Sequence, residues 1–517
     1  MITIGLVRQI LARREQLRSD RTLGHATRYF SAILLVSLIE GCTVGPDFVK
    51  PVNPSATSYT SRILPGTTTS ANIQGGEAQQ FVEQMDIPGE WWTLFHSKAL
   101  NELIAAALAN SPDIKSAQAA LIVANENRLA GKGAFYPSVS ASFSAARTKT
   151  SSQISPTPNS GALYFSLFTP QVSVSYAPDV FGMNHRAEES LIAQEEVARF
   201  QLIAMHITLS TNLVAGVIQE AALRAQIAAT RELIAINSNM LQLMRLQFYK
   251  GAASRVDVAS QESQLAQSEA MLPPLLKQLA QQRDLLRTLA GRLSSEQLPE
   301  QVELTDLKLP LELPVSLPSQ LVEQRPDVRV AEENLHVASA QIGVARARRF
   351  PAFTLTADSG AMALAIGDLL KPGVVFWDLG ASVTQPIFQG GTLLHQERAA
   401  QAYYDEATQQ YRSTVITAFQ NVADTLTAIQ EDADAMKAAA YAAQLAKTAL
   451  YLSKQNLQTG AASPLNLLMA EQNFQQAQLN LIQAQANRYL DTAALFQSLG
   501  GGWWNRGDLA TPQTANK

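Results

Sequence analysis

Cysteine is nearly absent from this 517-residue chain: Cys42 is the only one. That excludes an intrachain disulfide, a Cys-rich zinc site and a CxxC redox centre. Charge is scarce too, at 16% of residues against roughly a quarter in an average protein. The net charge of −4 offers no basic surface, so nucleic acid is not an expected partner. The six histidines, His25, His96, His185, His206, His336 and His395, contain no i, i+4 pair and no HExxH, and no metal site is expected. A P-loop, a Rossmann glycine fingerprint and a GxSxG elbow are all missing, which leaves nucleotide and hydrolase chemistry without a local signature. No catalytic residue and no cofactor is expected. What the chain does have is 46% hydrophobic residues, enough for a large core; its length predicts three or four domains of about 150 residues unless one long architecture repeats.

The N-terminus carries Arg8, Arg13, Arg14, Arg18, Arg21 and Arg28 ahead of an apolar run from Phe30 to Ile39 that ends at Gly41-Cys42. This is the charge-then-apolar order of an export signal, about 10 residues of apolar run against the roughly 20 a spanning helix needs. Leu38-Ile39-Glu40-Gly41-Cys42 resembles a bacterial lipobox, which implies that Cys42 becomes the lipid-modified first residue of the mature chain. Several acyl chains hold a protein on a bilayer where one barely does. By the same resemblance, Thr43 after the cysteine, where Asp would retain the chain, implies release to the outer membrane. The other reading of Cys42 is a buried free thiol.

Two stretches repeat. Pro112-Asp113-Ile114 superposes on Pro326-Asp327-Val328, and the same offset sets Tyr136-Pro137 over Phe350-Pro351; a second match sets Gly251-Ala252-Ala253-Ser254 over Gly460-Ala461-Ala462-Ser463. Two anchors at nearly constant offset read as tandem duplication. Pro299, Pro310, Pro314 and Pro318 punctuate the boundary, a stretch that suits neither a long helix nor a central strand.

In each copy a long stretch, Met183 to Lys250 and Thr392 to Thr459, is free of proline and almost free of glycine. Both predict uninterrupted helices on the order of 100 Å long, and with Gln396, Glu397, Arg398, Asp405, Glu406, Gln409 and Gln410 crowded at one end they read as too polar for lipid. Val415, Phe419, Val422, Leu426, Ile429, Ala433 and Met436 step by four and three, a coiled-coil seam. Gly251 and Gly460 suit the left-handed position that ends a helix, and Ser254 and Ser463 suit the N-cap of the next. Each copy is therefore expected to hold a helical hairpin with a tight tip, the first return helix kinked or broken at Pro273-Pro274. An ordinary coiled-coil protein would share these features.

The segments ahead of each long helix alternate with period two: Val139, Ala141, Phe143, Ala145 and Val172, Val174, Tyr176 in the first copy; Phe353, Leu355, Ala357 and Trp377, Leu379, Ala381, Val383 in the second. Ser, Thr and Gln mostly fill the gaps. Roughly ten residues with one apolar face is what a tilted strand needs to cross a bilayer, and Tyr164, Phe165, Phe168 and Trp377 are candidates for an interfacial aromatic girdle. Four strands cannot close a barrel, and an open edge in lipid leaves backbone groups unsatisfied at several kcal/mol each. Other copies must complete it. Trp91, Trp92 and Phe95 are expected to pack the entry into the first copy, and Gly500-Gly501-Gly502 before Trp503-Trp504 to stop a helix.

With these pieces together the chain resembles the TolC family of outer-membrane factors, specifically the lipoprotein (NodT-type) branch that serves RND multidrug efflux pumps. Gly41-Cys42-Thr43-Val44-Gly45-Pro46-Asp47, Arg325-Pro326-Asp327-Val328, Ala340 to Ala345 leading to Phe350-Pro351, Gln385-Pro386-Ile387-Phe388 and Gly251 to Val258 carry the resemblance, which covers nearly everything after Phe30. It implies a mainly α fold, long coiled-coil hairpins forming an α-barrel, with four strands per protomer in a trimeric twelve-stranded β-barrel. It implies an outer-membrane exit duct, lipid-anchored with its helical part in the periplasm, that works as a homotrimer with a periplasmic adaptor and an inner-membrane RND pump and sits among outer-membrane lipids. No enzymatic activity is implied.

The expected layout is a signal peptide over 1–41, a lipidated extended and equatorial segment over 42–96, a first repeat over 97–298, a Pro-rich linker over 299–318, a second repeat over 319–500 and a tail over 501–517. The resemblance puts the closed periplasmic aperture at the hairpin tips, at Gly251 and Gly460, with Arg255, Asp257 and Asn466 at the matching positions. The family often places acids where this chain has Asn466 and Met469, which puts closure on Asp257 with Arg255. The same duct on a type I secretion or metal-efflux machine, and a coiled-coil lipoprotein without a pore, are the alternatives.

Overall fold

The structure is a computed structural model that describes residues 43–62, 64–149, 164–298 and 302–510. The expected signal peptide and Cys42 lie outside the described residues. In chain order the elements are β1 (Gln80–Glu83), α1 (Lys98–Asn110), α2 (Pro112–Lys132), β2 (Ser138–Lys149), β3 (Tyr164–Tyr176), α3 (Met183–Tyr249) and α4 (Arg255–Leu289). Then come β4 (Glu312–Val315), α5 (Pro318–Gln324), α6 (Pro326–Ala347), β5 (Ala352–Ala361), β6 (Val375–Thr384), α7 (Thr392–Gln458), α8 (Pro464–Ser498) and α9 (Gly507–Ala510).

The duplication is structural. The long helices α3 and α7 have 67 residues each and start 209 positions apart; their return helices α4 and α8 have 35 each at the same spacing. Helices α2 and α6, and strands β2 and β5, start 214 positions apart. An ion pair repeats with them: Lys132 meets Glu188 at 3.5 Å in the first copy, and Arg346 meets Glu397 at 3.0 Å in the second. A helix this long survives because each turn packs one stripe against a neighbour rather than by propensity alone.

The chain divides into two compact units that interleave the repeats. One unit, the described residues within 1–49, 125–194 and 335–407, holds the four-stranded sheet β2-β3-β5-β6, antiparallel throughout. The other, the described residues within 50–124, 195–334 and 408–517, holds most of the hydrophobic core. There Leu213, Val214, Val217 and Ile218 of α3 are buried in one cluster with Val422 and Ile429 of α7, Leu286 of α4 and the aromatics Trp91, Phe95, Tyr489 and Phe496. Trp91 stacks on Phe496 with ring centroids 5.2 Å apart. The expected seam of α7 is buried at Val415, Val422, Leu426, Ile429, Ala433 and Met436. One window of α3 is apolar enough to cross a membrane, but 67% of that window is buried in protein, so it is core.

Of the kink or break expected at Pro273-Pro274, the break is absent. Helix α4 runs unbroken through Pro273 and Pro274. Each proline removes one i→i−4 bond; the carbonyls left over belong to Glu269 and Ala270, which are exposed and reach water. Within the Pro-rich stretch Val302, Leu304, Leu307, Leu309 and Leu313 are buried, and β4 pairs in parallel with β1. Its prolines limit helix, not burial.

Candidate functional site

The sheet is built by register. Val139 lies opposite Val174, Val174 opposite Ala357, and Phe353 opposite Val383. Residues directly opposite share a face, so the alternating apolar positions of all four strands gather on one side and the Ser/Thr positions on the other. Apolar side chains on that side stand in the open: Val139 is 69% exposed and Trp377 74%, with Phe143, Val172, Leu355, Leu379 and Val383 also exposed. The strands run 10 to 13 residues, long enough for a tilted crossing of a hydrocarbon core. Of the aromatics expected at the interfaces, Tyr164 and Trp377 are exposed and Phe165 and Phe168 half-buried. The opposite side carries Ser140, Ser142, Ser173, Ser382 and the carboxylates Asp358 and Asp378, which face each other across β5 and β6. The outer edges of β2 and β6 have no partner strand among the described residues.

Against the same unit lies a strap at Thr43–Phe48. The Val44 N–H donates to Phe181 O at 3.1 Å. Arg186 reaches Asp47 at 2.6 Å and Glu189 at 2.7 Å; burial lowers its pKa, and the two carboxylates outweigh that and raise it. Phe48 stacks on the His336 ring at 4.2 Å, and His336 Nε2 meets Glu189 at 2.9 Å. Gly343 is required here: a Cβ would stand 2.7 Å from Arg186 Cγ and 3.0 Å from Val44 O. Thr43 rests on Gly182, just after β3, so the residue that follows Cys42 sits at the strand-to-helix junction. Sequence reading drew the Gly45-Pro46-Asp47 motif only from the family pattern; its partners are distant in sequence and left no local signal.

The hairpin tips follow their sequence signals. Gly251 and Gly460 adopt φ of 75° and 74° with open space around them, where any Cβ would be strained. The Ser254 side chain accepts from the Asp257 N–H at 3.2 Å, and the Asp257 carboxylate accepts from the Ser254 N–H at 2.8 Å, a reciprocal capping box. The Ser254 N–H and the Ser254 hydroxyl, which donates to the same carboxylate at 2.8 Å, hold the Asp257 carboxyl below its usual value. In the second copy Ser463 accepts from the Asn466 N–H at 3.4 Å, with no return bond from an acid. Arg255 does not reach Asp257 within the chain; it lies 4.0 Å from Glu262, which Arg245 holds at 2.9 Å. Behind the tips an amide network went unnoticed in the sequence: buried Asn237 Nδ2 donates to Ser268 Oγ at 2.7 Å, and Nε2 of the exposed Gln472 to Oε1 of the buried Gln264 at 2.9 Å. No cluster of three metal-ligating side chains occurs among the described residues.

The family model for "Outer membrane efflux protein" matches residues 103–292 and 317–501. The chain belongs to the outer membrane efflux protein family. Two relatives in Pseudomonas putida, the probable efflux pump outer membrane protein SepC and the toluene efflux pump outer membrane protein TtgF, are each 28% identical over 483 residues, covering 93% of this chain and 98% of their own. The pyoverdine export outer membrane protein OpmQ of Pseudomonas aeruginosa is 28% identical over 420 residues, 80% of this chain and 87% of its own. Among solved structures, VceC of Vibrio cholerae superposes with a TM-score of 0.74 at 25% identity over 81% of this chain and all of its own. The Neisseria gonorrhoeae channel MtrE gives 0.76 at 24% over 90% of this chain and 99% of its own. The family is one of outer-membrane efflux proteins and not an enzyme family.

Proposed function

We propose that this chain is the outer-membrane duct of a tripartite efflux pump: three copies close a twelve-stranded β-barrel, the helical hairpins continue it into the periplasm, and a lipid on Cys42 anchors each copy. A periplasmic adaptor and an inner-membrane RND pump supply the driving force and the choice of cargo, and the duct conducts drugs or other small toxic compounds passively. The observation that carries this reading is the sheet, with one apolar face in the open and both edges unpaired among the described residues, which no single copy can satisfy in a bilayer. Relatives named for toluene efflux and pyoverdine export fit a cargo of small organic molecules.

Purified protein in planar bilayers is expected to give unitary currents, and a deletion strain to accumulate compounds from a drug panel that the complemented strain expels. Absence of unitary current from folded, bilayer-inserted protein would remove the duct and leave a coiled-coil scaffold. A periplasmic gate at the tips, with Arg255, Asp257 and Asn466, belongs to the same reading. Asp257→Ala is expected to raise conductance and antibiotic uptake; unchanged values would move the gate elsewhere.

A further inference from the structure

The duplication makes the chain its own template for the contact between copies. Within the chain the two repeats meet where β3 pairs with β5, from Gln171 opposite Gly360 to Tyr176 opposite Leu355. The counterpart of β3 is β6, and the counterpart of β5 is β2. Those two strands carry the edges of the sheet that are unpaired among the described residues. A second observation concerns the helix next to that seam. Ser339, Ala340, Ile342, Gly343, Val344 and Ala345 of α6 are buried, and their counterparts over residues 125–132 of α2 include no buried residue. Likewise Tyr136 is 70% exposed where its counterpart Phe350 is 38% exposed and stacks on Phe181 at 4.8 Å. The first repeat thus presents, uncovered, the surface that the second repeat has covered within the chain. The matching cover is β6 and the segment that joins it to α7, where Ile387 and Phe388 are 88% and 87% exposed.

We propose that the seam between neighbouring copies repeats the in-chain seam residue for residue, β6 of one copy pairing antiparallel with β2 of the next so that Val383 lies opposite Phe143 and Ser382 opposite Ser144. This rests on the assembly of copies proposed above and gives its register. The pairing transfers Val174 opposite Ala357 and Ser173 opposite Asp358 by the spacings of 209 and 214 positions that relate the repeats. The strand pairs of the two copies obey the same spacings: Ser138 opposite Ser175 becomes Ala352 opposite Thr384. An independent requirement agrees. The apolar face carries Val139 and Phe143 on β2 and Trp377, Leu379 and Val383 on β6, and the register keeps these on one side; a slip of one residue would set Val383 opposite a serine and turn one strand's apolar face into the lumen.

The test uses paired cysteines in the full chain, expressed in outer membranes and oxidised there. Phe143→Cys with Val383→Cys, and Ser144→Cys with Ser382→Cys, are adjacent pairs; antiparallel geometry alternates close and wide pairs, so at least one is near enough to bridge. Shifting one partner by four residues, Phe143→Cys with Leu379→Cys or Ser144→Cys with Asp378→Cys, moves it about 13 Å along the strand, beyond the roughly 7 Å Cα separation a disulfide spans. The wild-type chain, with Cys42 alone, is the baseline. The expected result is reducible cross-linked multimers from an in-register pair at about tenfold or more over the shifted pairs. The single-cysteine variants report folding by reaching the outer membrane with wild-type mobility. A shifted pair that cross-links as well or better, or no cross-link from folded, assembled protein, overturns the register while leaving the duct intact. A chain that is folded yet strictly monomeric in the membrane overturns both.

Discussion

Two buried ionisable side chains give opposite pH dependences. Glu471 in α8 is 1% exposed, and neither carboxylate oxygen has a partner. Burial pushes its pKa up to about 7, with Lys454 opposing. The folded state therefore holds the proton more tightly than the unfolded chain, whose value is near 4.5; this contribution is present below about pH 4.5 and is lost as pH rises toward 7. Glu471→Gln keeps the neutral shape and removes the titration. Thermal unfolding in detergent should show the variant gaining on wild type between pH 5 and pH 8, and parallel curves would refute the assignment. His206 in α3 runs the other way. Burial, with Arg506 adding to it and Asp508 opposing, pulls its pKa down to about 4, so its contribution is present above the unfolded value of 6.5 and is lost as pH falls through 4. His206→Phe should flatten the acid limb of the stability curve at pH 4 to 6.5 and leave pH 8 nearly unchanged.

Elements were legible wherever a period or a stop signal was local. Alternation in Val139 to Ala145 and Trp377 to Val383 marked strands, and Gly251-Ser254 and Gly460-Ser463 marked helix ends to within a residue. What escaped depends on distant partners: the pairing of β1 with β4, the burial of the linker leucines, and the strap held by Arg186 and Gly343. Of the kink or break expected at Pro273-Pro274, the break is absent, because the two missing bonds fall where α4 is exposed. The tips permit an element-scale comparison. Ser254 belongs to a reciprocal box, and Ser463 makes one longer bond. Ser254→Ala should cost about 1 kcal/mol of local stability, and Ser463→Ala a fraction of that. Amide exchange at Val258 and Leu467 would read the difference, and equal effects would mean the Asp257 carboxylate adds nothing to the cap. Gly343→Ala should free the strap, seen as faster proteolysis after Lys50, without altering the sheet.

For the assembled molecule the alternation of each strand decides what a substitution does. Leu379 and Asp378 are neighbours on β6 and face opposite ways. A lysine on the lipid side of such a barrel costs about 2 to 4 kcal/mol near the midplane, and an unclosed barrel has no alternative that satisfies its edges. Leu379→Lys should therefore cut the amount of protein recovered in the outer membrane severalfold. Asp378→Lys puts the same charge into water and should insert at near wild-type level. Its effect belongs to the pore instead. Asp358 and Asp378 stand opposite each other, so every copy adds two carboxylates at one height of the lumen, and their field favours cations. Replacing both with Asn should lower the cation-over-anion permeability ratio, measured from the reversal potential under a salt gradient, and Asp378→Lys should lower it further. Insertion lost equally by Leu379→Lys and Asp378→Lys would contradict the assignment of the two faces, and an unchanged reversal potential would place these carboxylates away from the conducting path.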